Sequence, residues 1–324
     1  MTVAVCTLFE KDYHHGVAAL ANSLVRNGFD GRIYAGYRGP LPEWARAARQ
    51  TSVGALRKAH VLEVTPTCSL VFVPLETPAH FTNIKPDFML QLFADEALEI
   101  DYLFYLDPDI CLVRKWQYLA DWSTCGVALC EDVNSPTGEF DPRRIGWRRY
   151  FGERGIALSF RNPAYVNGGC VGVARAELRF LENWQLLTRH MAATIGDLRT
   201  AKIEGGQQFQ QSGFASCFDC SDQDALNATV EMTGELTYSI LPRAAMGFAI
   251  GATVMPHALG PRKPWRRQYL REALGASPPT VADLAFWENV AGPLRSMSDR
   301  RVKATRFTLG VASAMGRLYR RSGQ

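Results

Sequence analysis

The sequence predicts an α/β protein built on a mixed, mainly parallel, Rossmann-like sheet flanked by helices, and its opening carries the prediction. Residues 2 to 8 alternate small and apolar side chains, as a strand does. GVAALANSLVRNGF then places apolar residues at 17, 20, 21, 24 and 25, the spacing of one helix face, with Gly28 as a stop. RIYAGY (32 to 37) is again strand-like. A strand–helix–strand opening builds parallel pairs, and such sheets take ligands at their carboxyl edge.

The remaining elements follow in order. Strands are expected at 60 to 64 (HVLEV), 70 to 75 (LVFVPL), 101 to 106 (DYLFYL), 126 to 130 (GVALC), 170 to 174 (CVGVA) and 236 to 241 (LTYSIL). Helices fit 86 to 98, where Pro86 suits a first turn, and 176 to 194 and 223 to 232. Residues 134 to 164 and 204 to 216 lack clean periodicity and are expected to be loops or insertions beside a site. The arginines of 143 to 161, interleaved with Trp147, Tyr150 and Phe151, form either a binding surface, with rings free to stack on a ligand and arginines to hold anionic groups, or a solvated insertion.

Composition narrows the class. A chain of 324 residues, 47% apolar and 21% charged, is ordinary globular material, long enough for one large domain. MTVAVCTLFEKDY has no basic n-region and there is no run of 18 apolar residues, so a cytoplasmic protein is expected. The eight cysteines lie mostly inside apolar runs, where packing explains them; Cys217 and Cys220 form one C-x-x-C without a partner pair at zinc spacing. Residues 299 to 324 hold six Arg and one Lys against one Asp; setting that +6 against the net +4 leaves −2 for the rest. Basic charge confined to a tail does not match a nucleic-acid-binding body.

Four segments carry chemistry. YLDPDICLV (105 to 113) ends an apolar run with Asp107 and Asp109 around a stiff Pro108. Two such carboxylates suit a hard divalent cation with room left for phosphate oxygens, although acidic turns after strands are common. HALGPRKPW (257 to 265) offers His257 as a ligand, Gly260 for close backbone approach and Lys263 as a phosphate cation; a surface loop is the plain alternative. In YVNGGCVGV (165 to 173), Asn167, Gly168 and Gly169 give backbone amides and a side-chain amide that can approach a sugar closely. In SDQDALN (221 to 227), Asp222 is placed to cap a helix, and could also face hydroxyls.

In order and approximate spacing these four segments resemble the family 8 retaining glycosyltransferases of the GT-A fold, the group that includes glycogenin and bacterial lipopolysaccharide glucosyl- and galactosyltransferases. The resemblance covers roughly residues 1 to 270, leaving 271 to 324 as a helical C-terminal extension, basic from 300. It implies a UDP-sugar donor, glucose or galactose, a glycan or lipid-linked glycan acceptor, and Mn²⁺ (or Mg²⁺) held by Asp107, Asp109 and His257. It further implies Gln223 beneath the donor sugar and Asp222 on its hydroxyls as catalytic residues. Thr7 and Tyr13 would lie on the uracil and Lys85 near the donor, with Asn167, Gly168, Gly260 and Lys263 completing the donor site. The Pro within D-x-D and the Arg-rich 134 to 164 segment depart from the pattern.

Three rivals remain at this stage. A sugar-nucleotide pyrophosphorylase would need a glycine-rich phosphate loop after the first strand, where this chain has TLFEKDYHHG. An inverting transferase would need Asp222 or Asp224 as a base, and a catalytically idle scaffold would bind UDP without releasing it from a sugar. The tail RRVKATRFTLGVASAMGRLYRR (300 to 321) shows one helical face with Phe307, Val311, Met315, Leu318 and Tyr319 and another with Lys303, Arg306, Arg317, Arg320 and Arg321. It either lies on an anionic membrane surface or docks on the domain.

Overall fold

The computed structural model describes residues 1–195, 198–199, 217–218, 220–232 and 234–321; the 204 to 216 segment discussed above lies outside them. Among the described residues one nine-stranded sheet forms the frame: β1 (Val3–Glu10), β2 (Gly31–Arg38), β3 (Arg49–Val53), β4 (Leu56–Thr65), β5 (Cys68–Pro74), β6 (Tyr102–Leu106), β7 (Val127–Glu131), β8 (Val166–Ala174) and β9 (Tyr238–Leu241). Their spatial order is β3-β4-β5-β2-β1-β6-β8-β7-β9. The pairs β1–β2, β1–β6, β2–β5 and β7–β9 are parallel and the other four are antiparallel. The sheet is thus the mixed α/β sheet expected, with its parallel run concentrated in the centre.

Two topological facts position a site. β1 is followed by β2 on one side and has β6 on the other, so the chain order reverses at β1, and a crevice opens beyond the carboxyl ends of β1 and β6. β8 runs antiparallel to β6 with Leu106 opposite Cys170, so the start of β8 stands beside the end of β6. Asp107 N–H donates to Gly169 O at 2.8 Å, joining the D-P-D turn to the N-G-G segment.

Helices cover both faces. α1 (His14–Arg26) buries Val17, Leu20, Ala21 and Leu24 against one face of the sheet, as its spacing requires. Its first turn touches the D-P-D turn directly: a Cβ on Gly16 would stand 2.2 Å from Pro108 O, so no larger residue fits there. The other face is covered by α2 (Lys85–Ala94), α4 (Pro142–Gly152), α5 (Leu178–Ile195) and α6 (Ser221–Met232), through Phe88, Met89, Trp147, Phe151 and Trp184. Short α3 (Gln117–Trp122) precedes β7.

Residues 134 to 164 are not a loop throughout. Asp141 caps α4 by accepting Arg143 N–H at 2.9 Å, with Pro142 in the first turn. Trp147, Tyr150 and Phe151 are fully buried; Trp147 Nε1 donates to Cys217 O (2.6 Å) and Tyr150 OH to His190 O (2.6 Å). They are core residues and do not offer faces for stacking on an acceptor sugar. No disulfide joins any of the eight cysteines, and Cys217 sits against Gly146 of α4 as packing.

A third apolar cluster joins α7 (Tyr269–Leu274), α8 (Val281–Asn289) and α9 (Asp299–Arg321) to α1 through Ala19, Trp265, Tyr269, Phe286 and Trp287. Asn22 of α1 pins this layer, donating to Asn289 O and Leu294 O (both 2.8 Å) and accepting from Leu294 N–H (2.9 Å). α9 is docked by Val302, Leu309 and Ala312. Phe307, Val311 and Leu318 of the expected apolar stripe face away from the domain, 72%, 39% and 68% exposed. Helix spacing alone could not tell the docking side, because apolar residues stand on two sides of this helix.

Candidate functional site

β6 is a wholly buried strand, so the two carboxylates that follow it emerge at the rim of the crevice with little freedom. Residues 254 to 258 run beside 109 to 113: Val113 N–H donates to Val254 O (2.9 Å), Ala258 N–H donates to Asp109 O (3.2 Å), and Ile110 bridges His257. This pairing brings His257 from about 150 residues downstream onto the D-P-D turn. His257 Nε2 lies 3.2 Å from Asp109 Oδ1 and 3.6 Å from Asp107 Oδ2. One ligand atom from each of Asp107, Asp109 and His257 falls within 4.8 Å of the others, the one such group among the described residues.

The donor set fits a hard divalent cation. Two carboxylate oxygens and an imidazole nitrogen at these separations are near the ~3 Å edge of a six-coordinate shell bonded at about 2.1 Å. Gly169 permits the convergence: a Cβ there would stand 2.6 Å from His257 Cε1 and 2.9 Å from Asp107 Oδ2.

Lysines balance the acids. Lys263 Nζ donates to Asp109 Oδ2 and, at 2.8 Å, to Ala258 O. Burial would raise the Asp109 carboxyl, but the positive charges of His257 and Lys263 outweigh it and hold it below the ordinary carboxylate range. Burial would likewise lower the Lys263 ammonium, and the charge of Asp109 reverses that and raises it. Lys85, fully buried, donates to Gly168 O (2.8 Å) and Asp222 Oδ2 (3.0 Å) and lies 3.3 Å from Asp107 Oδ1. Burial lowers its proton affinity, and Asp107 and Asp222 together more than restore it. Lys85 is therefore an internal counterion between two motifs.

The polar residues of SDQDALN converge on the start of β8. Gln223 Oε1 accepts Gly168 N–H (3.1 Å), Asp224 Oδ1 accepts Tyr165 OH (2.7 Å), and Asn227 both accepts Val166 N–H (2.8 Å) and donates to Val166 O (2.9 Å). The carboxylate that reaches back at the start of α6 is Asp224, to Cys220 N–H (2.8 Å), while Asp222 pairs with Lys85. The capping role expected of Asp222 thus belongs to Asp224.

A cavity of about 180 Å³ opens on the cluster, lined by Leu8, Phe9 and Glu10 of β1, by Tyr13, by His80 to Thr82, and by Tyr105, Asp107, Asp109, His257 and Lys263. Tyr13 lines the cavity, with its ring edge-on to Trp265 and 5.8 Å from Lys263 Nζ. Thr7 is not brought to the cavity: it is fully buried three residues short of the end of β1, and Glu10 stands at the rim instead. Gly260 is exposed at φ +79° with no protein atom near its Cβ position, and its conformation turns the loop that carries Lys263. A larger open depression of about 1010 Å³ lies at the opposite sheet edge, beside Val3, Gly31 and Ile100. The converging ligand atoms are at the smaller one, which makes it the candidate site.

Three contributors escaped sequence reasoning. Tyr105 OH donates to Asp107 Oδ1 (2.7 Å), turning Oδ2 toward His257. Asp132 Oδ2 accepts from Asn167 Nδ2 (2.6 Å), whose Oδ1 accepts Gly169 N–H (2.8 Å). Glu10 is held by Arg38 at 2.6 and 2.9 Å. The tyrosine two residues before D-x-D, on the same side of an extended chain as Asp107, was the one readable signal.

No protein-family model matches the sequence, and no curated protein matches it. Among solved structures the chain is similar to the galactosyltransferase LgtC in complex with donor and acceptor sugar analogues, at 16% identity over 92% of this chain and 98% of that one, TM-score 0.49. It is also similar to the WbbM bifunctional glycosyltransferase (15%, 89% of this chain and 51% of that one, TM-score 0.46). A third likeness is to the glycosyltransferase GlyE of Streptococcus pneumoniae (15%, 95% and 64%, TM-score 0.46). Likenesses at this identity and score carry no activity or site to this chain, and the sheet order and ligand cluster stand on their own geometry.

Proposed function

We propose that this chain is a metal-dependent glycosyltransferase that moves a hexose from a sugar nucleotide to a hydroxyl acceptor with retention of anomeric configuration. The observation that carries the reading is the meeting of Asp107, Asp109 and His257 at the switch point of the sheet, with Lys263 beside them on the rim of a cavity. UDP as the nucleotide, glucose or galactose as the sugar, and a glycan or lipid-linked glycan as the acceptor rest on the motif resemblance.

Asp107, Asp109 and His257 would hold Mn²⁺ or Mg²⁺, which when bound supplies positive charge against the leaving diphosphate. Lys263 is the exchangeable cation of the site. It neutralises Asp109 in the ligand-free protein, and on donor binding it leaves Asp109 for the diphosphate, where its charge favours departure of the UDP. Asp222, oriented by Lys85 through Oδ2, keeps Oδ1 for a sugar hydroxyl. Gln223, held through Oε1 by Gly168 and hydrogen-bonded to Tyr165, would turn its remaining amide N–H to the donor sugar. The acceptor oxygen bonds to the anomeric carbon as the bond from that carbon to the phosphate oxygen breaks, and the hydroxyl proton passes to the departing phosphate.

The geometry disfavours an inverting mechanism. Asp224 is fully buried with both oxygens accepting hydrogen bonds, and Asp222 is ion-paired, so neither is a free general base. The test is UDP release from a panel of UDP-sugars with Mn²⁺, with and without Asp109→Asn. Release from one UDP-hexose that requires both metal and Asp109 supports the reading. UDP binding without release from any sugar nucleotide would reduce the protein to a scaffold.

A further inference from the structure

The loop that carries Lys263 has a second, outward side. Lys263 lines the candidate site, whereas its neighbour Arg262 lines a separate open cavity of about 500 Å³. The walls of that cavity come from the loop and from α7: Arg266 and Gln268 precede the helix, Arg271 and Glu272 lie within it, and Ser277 follows. Among the described residues the two cavities have no lining residue in common.

The charges on these walls do not cancel. Arg266 donates from Nε and Nη2 to Asp12, and its Nη1 takes no part in that pair. Glu272, the one acid among the described lining residues, is already engaged: Oε2 accepts Arg267 Nε (2.7 Å) and Oε1 accepts Gln268 N–H (3.1 Å). Arg262 and Arg271 are exposed and form no ion pair among the described residues, and Arg262 acts on Glu272 only through space. Guanidinium groups that face one concavity repel one another, and concave low-dielectric walls focus their field.

An anion that accepts from several of them at once relieves the repulsion. Phosphate does this best, because its oxygens point in different directions and each can meet a separate guanidinium fork, whereas the two oxygens of a carboxylate lie in one plane. The cavity also has room beyond the phosphoryl group, where Gln268 and Ser277 add uncharged hydrogen-bonding groups.

We propose that this cavity is a second anion site, for a small soluble phosphate monoester or free phosphate, held by Arg262, Arg271 and Nη1 of Arg266. It is separate from the place proposed for the leaving diphosphate beside Lys263, and it does not depend on the reaction proposed there.

The test is isothermal titration of inorganic phosphate, and in parallel of glucose 6-phosphate, into the full chain. EDTA is present to exclude metal-bridged binding, and ionic strength is fixed with chloride so that general attraction is screened. At least one of the two should bind with a Kd of about 1 mM or tighter. Tighter binding of the ester assigns the cavity to a sugar phosphate, and tighter binding of phosphate assigns it to the free ion. Arg262→Ala combined with Arg271→Ala changes only exposed side chains, so melting temperature should hold while affinity falls about tenfold or more. Lys263→Met should leave that affinity unchanged, because this lysine faces the other cavity. Absence of binding by either anion overturns the proposal, as does unchanged affinity in the double variant. Loss of binding in Lys263→Met also overturns it and assigns the anion to the candidate site.

Discussion

Two buried clusters of charge lie on opposite sides of β8, and they behave differently. Beneath α4, Arg144 donates through Nε to Thr137 Oγ1, through Nη1 to Glu231 Oε1 and through Nη2 to Ala164 O, all enclosed by protein. At the carboxyl edge, Lys263 and Lys85 hold Asp109, Asp107 and Asp222 against a cavity, and Lys263 reaches in from a loop whose residues 259 to 262 are exposed. Both clusters bury ions at a desolvation cost that only pairing offsets. In the proposed function the difference is whether a partner can be exchanged: Arg144 is enclosed by protein, whereas Lys263 would trade Asp109 for an incoming anion as a cation took its place.

Several substitutions break or sharpen that contrast. Asp109→Asn removes a ligand and should lower UDP release by on the order of 10³-fold, while circular dichroism stays native. Arg144→Leu should do the reverse: by leaving Glu231 buried with only the distant Arg148, at 3.9 Å, it should cost about 3 kcal/mol in urea unfolding, with the folded fraction still active. If that variant does not fold, Arg144→Leu with Glu231→Leu should recover most of the loss, because both charges then leave the core. The proposed function predicts no such recovery of UDP release by an apolar pair at Asp109 and Lys263.

A subtler prediction concerns Lys263→Met. Turnover should fall some tens-fold with the loss of a charge-assisted contact to the leaving group. Mn²⁺ alone should nonetheless bind more tightly, since the competing ammonium is gone from Asp109, and an EPR titration of free Mn²⁺ reads this directly. Weaker Mn²⁺ binding would mean that Lys263 supports the metal site instead of competing for it. The smallest effect involves His15, packed near Trp265. Burial, helped by the charges of His14 and Arg301, lowers its pKa from 6.5 to about 4. The unfolded chain then binds more protons than the native one across that window, so the stability His15 contributes is full above pH 6.5 and is lost as pH falls toward 4. His15→Gln should flatten this part of the stability–pH curve, seen in urea midpoints.

The parallel centre of the sheet was legible because β1, β2, β5 and β6 are apolar runs buried on both faces, which few other structures produce. β3 was missed because RQTSV is an exposed edge strand with no apolar alternation. α4 was missed because arginines dilute its pattern, although Trp147, Tyr150 and Phe151 stand at i, i+3 and i+4. In the site, Asp107, Asp109, His257 and Lys263 were readable as chemistry before they were readable as geometry. The residues that hold them were not. Tyr105 and Asp132 act through distances that only folding sets. Thr7 was placed one strand turn too deep, since a motif gives order along the chain but not where a strand ends.

The central claim is that cation and sugar nucleotide share one incomplete shell made by Asp107, Asp109 and His257. Isothermal titration of UDP into the native chain, with Mn²⁺ and then with EDTA, tests it most directly. The account predicts that UDP binds at least ~tenfold more tightly with Mn²⁺, and that this gain disappears in Asp109→Asn. Tight UDP binding that is indifferent to EDTA, or a Mn²⁺ gain that survives Asp109→Asn, contradicts it.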